Sequence, residues 1–264
     1  MLERCLVVAD YGQLEPRLMA HFSQDPRMLS IYVDGAGDIY ADMAAGIFGD
    51  AWTKDHRGIC KTLVLAMGYG AGDKKVGSIL TVNGYPTDTA TGAAYVSELR
   101  GLYYVFFEWR EQVIARVKTT GYVQTIGGRH RRLKAQFQDR RNWKNVGYGE
   151  RQAVNAIIQG SAADIVRRTM VNISHDTLLR HFSLLAQVHD ELVWEVEAAH
   201  LVTDKLLKRL QWHGEENHGY ALEVPLDFAP QVGVSWHEAK EGAPLELPED
   251  MEEDDVTLDF EEER

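Results

Sequence analysis

The chain has 264 residues, of which 45% are hydrophobic and 26% charged, enough to bury one large core or two smaller ones. No stretch approaches the roughly 18 consecutive apolar residues of a membrane span, and Glu3 and Arg4 interrupt any signal-peptide pattern at the N-terminus. Two cysteines, Cys5 and Cys60, are too few for a disulfide framework or a zinc site, so a reducing, cytoplasmic setting is expected. The net charge of −12 argues against a nucleic-acid partner only until its distribution is examined. Residues 246–264 hold eleven acids and one base, a net of −10, which leaves −2 for the other 245 residues. Within those, 110–151 carries eleven Lys or Arg against three acids, a local +8 of the kind that binds a phosphate backbone. A solvated helical face is the plainer reading of such a run taken alone.

In chain order, residues 1–24 read as a strand, a turn through Gly12, and a helix bearing Leu18, Met19 and Phe22. Residues 24–55 read as loops and short helices, with 40–48 amphipathic. A helix is expected over 56–67, ended by the glycine-rich 68–72. The pattern over 89–118 predicts one long helix whose aromatic residues Tyr95, Tyr103, Tyr104, Phe106, Phe107 and Trp109 form packing surface rather than a base-stacking platform. Residues 121–133 alternate like a hairpin turning at Gly127-Gly128. A second long helix over 150–180, a hairpin over 184–196, a helix over 199–217 and a strand over 222–228 follow. The acidic tail has little apolar content and is expected to be disordered.

Two carboxylates stand where short β-branched runs should end: Asp10 in CLVVADYGQLEPR and Asp190 in LLAQVHDELVWEV. Acids delivered from distant segments to neighbouring strand tips suit Mg²⁺, which takes hard oxygen ligands and binds through one or two carboxylates plus substrate phosphates. In HRGICKTLVLAMGYG, Arg57, Lys61, Leu65 and Tyr69 recur every four residues and share one helical face. Two cations followed by an apolar and an aromatic residue suit a nucleotide, phosphates on the first pair and base on the second. The combination points at phosphoryl transfer onto a nucleic acid.

DYGQLEPR, RGICKTLVLAMGYG and QVHDELV resemble motifs A, B and C of the family A (Pol I-like) DNA polymerases, in the right order. GGRHRR and ERQAVNAIIQGSAADI resemble the same family between motifs B and C, and the likeness runs from Leu6 to about Trp236. It implies an α+β fold: a palm of antiparallel sheet with packed helices, plus an inserted, mainly helical fingers subdomain. The palm would comprise 1–24 and 150–240, with fingers and a basic hairpin over 25–149 and the tail over 241–264. The implied activity is template-directed DNA synthesis on primer–template DNA from dNTPs, with two Mg²⁺ ions held by Asp10 and Asp190 and Glu191 supporting them.

The resemblance also implies roles for other positions. Gln13, Glu15, Tyr40, Arg57, Lys61, Leu65 and Tyr69 would bind dNTP. Glu15 would exclude a 2′-hydroxyl, and Lys61 would protonate pyrophosphate. Arg129, Arg131, Arg151, Asn155, Gln159 and His189 would meet DNA, the last at the primer terminus. Without the resemblance, Asp190-Glu191 reads as a charged hairpin tip, Asn155 and Gln159 as surface amides, and His189 as a core histidine.

The sequence departs from the family pattern at several places. Leu65 replaces an aromatic residue, Gly12 a Ser, and Tyr40 a common His; Pro16 follows the acid where an apolar residue is usual. Met1 lies nine residues before Asp10, so the thumb and first palm strands are expected to be absent. A separate N-terminal fragment is expected to supply them in a split or truncated, phage-type polymerase. The alternatives are a catalytically inactive nucleic-acid-binding remnant and an RNA polymerase, for which a small residue is expected in place of Glu15.

Overall fold

The computed structural model describes residues 4–34, 37–68, 70, 73–138, 142–197 and 201–241. In chain order its elements are β1 (Cys5–Tyr11), α1 (Leu14–Ser23), α2 (Pro26–Val33), α3 (Ile39–Phe48), α4 (Lys54–Gly68), α5 (Asp73–Val82), α6 (Thr89–Leu102) and α7 (Tyr104–Thr120). There follow β2 (Tyr122–Gln124), β3 (His130–Arg132), α8 (Lys134–Gln138), α9 (Trp143–His175), a 3₁₀ turn (Thr177–Leu179), β4 (Phe182–Val188), β5 (Glu191–Val196), α10 (Asp204–Glu215), β6 (Phe228–Gly233) and α11 (Trp236–Glu241). Among the described residues no helix is long and apolar enough to cross a membrane.

The chain groups into two compact units. One takes the described parts of Met1–Tyr11, Thr169–Asn217 and Phe228–Arg264, the other Gly12–Arg168 and His218–Asp227. The first is built on a four-stranded antiparallel sheet in the order β4-β5-β1-β6. Its central strand β1 is apolar on both faces because both are covered. On one face the Tyr11 ring meets Phe228 at 4.5 Å, and its hydroxyl hydrogen-bonds Thr169 Oγ1 at 2.7 Å and the Gly214 carbonyl at 3.1 Å. This ties the sheet to the end of α9 and to α10. On the other face Val8 and Val193, paired in register, pack with Ala239 of α11.

The second unit is mainly helical. Thr53 and His56 start α4 with a reciprocal cap, in which each residue's backbone N–H donates to the other's side chain. Part of the aromatic set is packing surface: Tyr103 and Phe106 are fully buried, and Trp109 stacks on Phe22 and meets Phe106 at a tilt, whereas Tyr104 is exposed. The single helix expected over 89–118 is instead two, broken at Tyr103. The buried Tyr103 hydroxyl donates to Asp42, and the Phe106 amide donates to Asp25, the N-cap of α2, rather than back into α6. Side-chain partners deeper in the unit thus outcompete helix continuity.

Other boundaries moved too. The second long helix begins at Trp143, behind an Asn142 side chain that accepts from the Asn145 amide, and ends at His175. The expected strand over 222–228 begins only at Phe228. Its upstream backbone is taken by α1 and the preceding turn: Gly12 N–H donates to the Asp227 carbonyl at 2.8 Å, and Arg17 Nη1 to the Pro225 carbonyl at 2.6 Å. The helix α5 and the closing helix α11 were not anticipated. The acidic tail and Tyr69 lie outside the described residues, as does the side chain of Leu65.

Candidate active site

The sheet register decides which acids meet. Pairing of β1 with β5 sets Asp10 directly opposite Glu191, on the same face as the Val8–Val193 pair. Asp190 is the second residue of the two-residue loop joining β4 to β5, so the same strand end carries three carboxylates. Like charges directly opposite on a sheet repel. Accordingly, burial and then the charges of Asp190 and Glu191 push the Asp10 carboxyl up to about 6, and Asp190 is raised too, first by burial. His189, the other loop residue, has φ 58, a left-handed backbone that costs a non-glycine residue free energy.

Glu191 differs from the other two acids in being buried, at 4% exposure. Its Oε1 accepts from the Trp236 indole N–H at 2.8 Å, and Lys240 Nζ stands 2.5 Å from Oε2. That ion pair is poorly directed, because Oε2 has no hydrogen-bond donor among the described residues. Sequence reading missed Trp236 and Lys240, since their only signal was an i,i+4 spacing in a short helix at the end of the resemblance.

Asp10 and Asp190 remain as the acids available to a metal. Among the described residues no three His, Cys, Asp or Glu are grouped to hold an ion on their own. Two repelling carboxylates fit Mg²⁺ nonetheless, because that ion relies on substrate phosphates and water for its other ligands and relieves the repulsion.

The second unit holds most of the other singled-out residues. Glu15 on α1 accepts from Gln159 Nε2 at 3.2 Å, and Gln159 Oε1 accepts from Asn155 at 2.9 Å, so three separately chosen residues form one hydrogen-bonded row. Arg151 is exposed one turn before Asn155 on α9. Gln13 spans a loop: its Nε2 donates to the Gly37 carbonyl at 2.9 Å, while Oε1 accepts from the Tyr32 hydroxyl and the Ile39 amide at 3.2 Å. On α4, Arg57 lies 5.2 Å from the Tyr40 ring centre and pairs through Nε with Asp38 at 2.7 Å. Lys61 is exposed one turn further on. Asp38 was not singled out, though it also caps α3 and so positions Tyr40 and Arg57 together.

The glycine at position 12 has a local cause: a Cβ there would collide with the Asp227 carboxylate. In the basic hairpin the two arginines diverge. Arg129 is tied down, its Nε to Asp164 at 2.5 Å and its Nη2 to the Gly160 carbonyl at 2.8 Å. Asp164, only 4% exposed, also accepts from Thr125, from the Gly127 amide and from Arg167. A Cβ on Gly127 would sit 2.7 Å from that carboxylate, which is why the turn needs glycine there. Arg131 stays exposed, with a 3.4 Å contact to Gln152.

A family model described as DNA polymerase family A matches residues 2–238. The chain is similar to DNA polymerase I of Streptococcus pneumoniae, 31% identical over 242 residues that make up 89% of this chain and 26% of the relative. It is similar to DNA polymerase I of Helicobacter pylori, 31% identical over 247 residues, 90% of this chain and 25% of the relative. It thus spans about a quarter of the length of these curated relatives. Its fold is similar to the Pol domain of Pol1 from M. smegmatis, solved in complex with DNA primer-template and dNTP. That match has a TM-score of 0.76 and 28% identity, covering 89% of this chain and 40% of that one.

Proposed function

The chain belongs to DNA polymerase family A, and we propose that it carries the nucleotidyl-transfer chemistry of template-directed DNA synthesis. The observation that carries this reading is the convergence of Asp10 and Asp190 at one sheet end, with the Asp10 carboxyl raised to about 6 by burial and its acidic neighbours. Strongly perturbed acids of this kind mark a functional site more often than a structural one. Asp10 and Asp190 would hold two Mg²⁺ ions. When bound, these would acidify the primer 3′-hydroxyl and neutralise the departing pyrophosphate.

The remaining roles belong to the chain's own groups. Arg57, steadied by Asp38 and Tyr40, would grip the triphosphate of the incoming dNTP as a bidentate donor. Lys61 would share that grip and donate the proton that the leaving pyrophosphate needs. Glu15, fixed by Gln159, would stand against the sugar and leave no room for a 2′-hydroxyl. Gln13 would act behind it by holding the start of α1. Asn155, Gln159 and Arg151 would follow the primer–template, with His189 at the primer end and Arg131 on the phosphate backbone. Arg129 would shape the hairpin that presents Arg131.

A separate N-terminal polymerase fragment is part of the proposal. Its support is the edge strand β4, on which Leu184, Leu185 and Val188 are exposed, apolar surface that another segment would cover. Primer extension with Mg²⁺ and dNTPs, run with and without such a fragment, tests the function. Asp190→Ala should lower extension at least about a thousandfold, the loss of several kcal/mol of charge stabilisation. Equal rates for the variant and the wild type would refute the assignment. Faster use of rNTPs than of dNTPs would make the chain an RNA polymerase instead.

A further inference from the structure

Glu191 is engaged by a single helix, with one oxygen hydrogen-bonded and the other facing an ammonium. Trp236 and Lys240 stand four residues apart on α11, hence on one helical face, and the first takes Oε1 while the second faces Oε2. The helix itself is firmly seated. Ala239, between them in sequence, is fully buried against Val8 and Val193, and Gly233 gives it room, since a Cβ there would collide with the Ala239 backbone. The sheet register leaves Glu191 directly opposite Asp10. With nothing holding it, a carboxylate in that position would turn to any divalent ion that Asp10 binds.

We infer that Trp236 and Lys240 are positioning residues that hold Glu191 out of the metal's coordination shell, with the Lys240 ammonium as the resident counter-ion, and so set the affinity of the site for divalent cations. The inference rests on the reading of Asp10 and Asp190 as the metal-holding pair. Two effects act in the same direction. The lysine's positive charge repels an arriving cation, and its pairing with the buried Glu191 withholds one ligand. An ammonium is the right group for a reversible hold, because it is a compact point charge on a flexible stem, here half exposed.

The experiment measures Mn²⁺ binding to the full chain from the electron paramagnetic resonance signal of free Mn²⁺, with no turnover involved. Lys240→Met should bind about five- to tenfold more tightly than the wild type, the effect of losing one nearby positive charge and freeing one ligand. Lys240→Arg should restore wild-type affinity. In a Glu191→Gln background the Lys240→Met gain should shrink to the part that loss of the positive charge supplies, because no carboxylate is then freed as a ligand. Should Lys240→Met fail to fold, Trp236→Phe keeps an aromatic ring but removes the indole N–H that holds Glu191 Oε1, and should also tighten binding.

Unchanged affinity in Lys240→Met, alongside weakened binding in Asp10→Asn, would overturn the inference and leave the metal site standing. Equal binding by the wild type, Asp10→Asn and Asp190→Asn would overturn both.

Discussion

Asp10 and Asp176 are aspartates of the same compact unit, and their surroundings treat them in opposite ways. Asp176, whose side chain is 5% exposed, accepts from Arg209 Nε at 2.6 Å, contacts His213 Nε2 at 2.7 Å, and receives the Leu178 amide. Burial alone would raise its carboxyl, but those donors hold it below the usual value. Asp10 is more exposed, yet it faces two acids, and Lys240, which is paired to Glu191, and the Tyr11 backbone N–H offset them in part. A buried charge with matched partners is what a fold does to stabilise itself. An acidic cluster left in repulsion is tolerated where something outside the chain will complete it.

The sharpest way to break this contrast is to neutralise the satisfied member. Asp176→Asn leaves Arg209 and the buried His213 facing an amide and removes the charge that pairs them. It should lower the free energy of unfolding by about 3 kcal/mol in urea denaturation, the range for breaking one partner of a buried pair. Asp10→Asn should leave stability unchanged or raise it slightly, while abolishing Mg²⁺-dependent extension. If the two variants were equally destabilised, the distinction between a structural and a functional acid would not hold.

The pH dependence of metal-free stability sharpens the same contrast, because the two shifts have opposite signs. Asp10 rises from its usual 3.8 to about 6 in the folded chain, so the folded state binds more protons in that interval. Its penalty is absent at acid pH and develops as pH climbs from about 4 to about 6. Solvent screening at this exposed residue limits the loss to about 1 kcal/mol. Asp176 behaves conversely: its stabilisation is present above the usual carboxylate value and is lost as pH falls through the lowered one. Thermal melts between pH 4 and 7 should therefore show a decline in the wild type that Asp10→Asn lessens, leaving the share due to Asp190, and that added Mg²⁺ reduces.

What the sequence reveals follows the same line. Asp10 and Asp190 were legible because each stands where a short β-branched apolar run ends, a signal carried by consecutive residues. Glu15, Asn155 and Gln159 were legible as individuals, but their hydrogen-bonded row was not, since it needs two helices brought side by side. Asp38, Asp164, Trp236 and Lys240 escaped notice because they act on other side chains from distant segments. Single-residue patterns carry no trace of that pairing. The break at Tyr103 and the late start of β6 escaped for a related reason: buried side-chain donors and acceptors overrode local propensity there. Arg129 and Arg131 look alike in GGRHRR, and only burial of Asp164 tells the structural arginine from the exposed one.

The smallest predicted effect concerns the loop that delivers Asp190. His189 occupies a left-handed backbone at φ 58 that glycine adopts freely. For an ordinary L-residue the conformation costs roughly 1–2 kcal/mol, and glycine gives back part of that through its larger unfolded-state entropy. His189→Gly should therefore stabilise the chain by about 0.5 kcal/mol in chemical denaturation. Under the proposed role of the imidazole at the primer terminus, the same variant should weaken primer use, seen as a raised KM for primer–template with little change for dNTP. A loss of stability would mean that the side chain has packing value which its exposed position conceals. A gain in stability with undiminished primer use would leave the strained residue without a functional reason, and would remove His189 from the site.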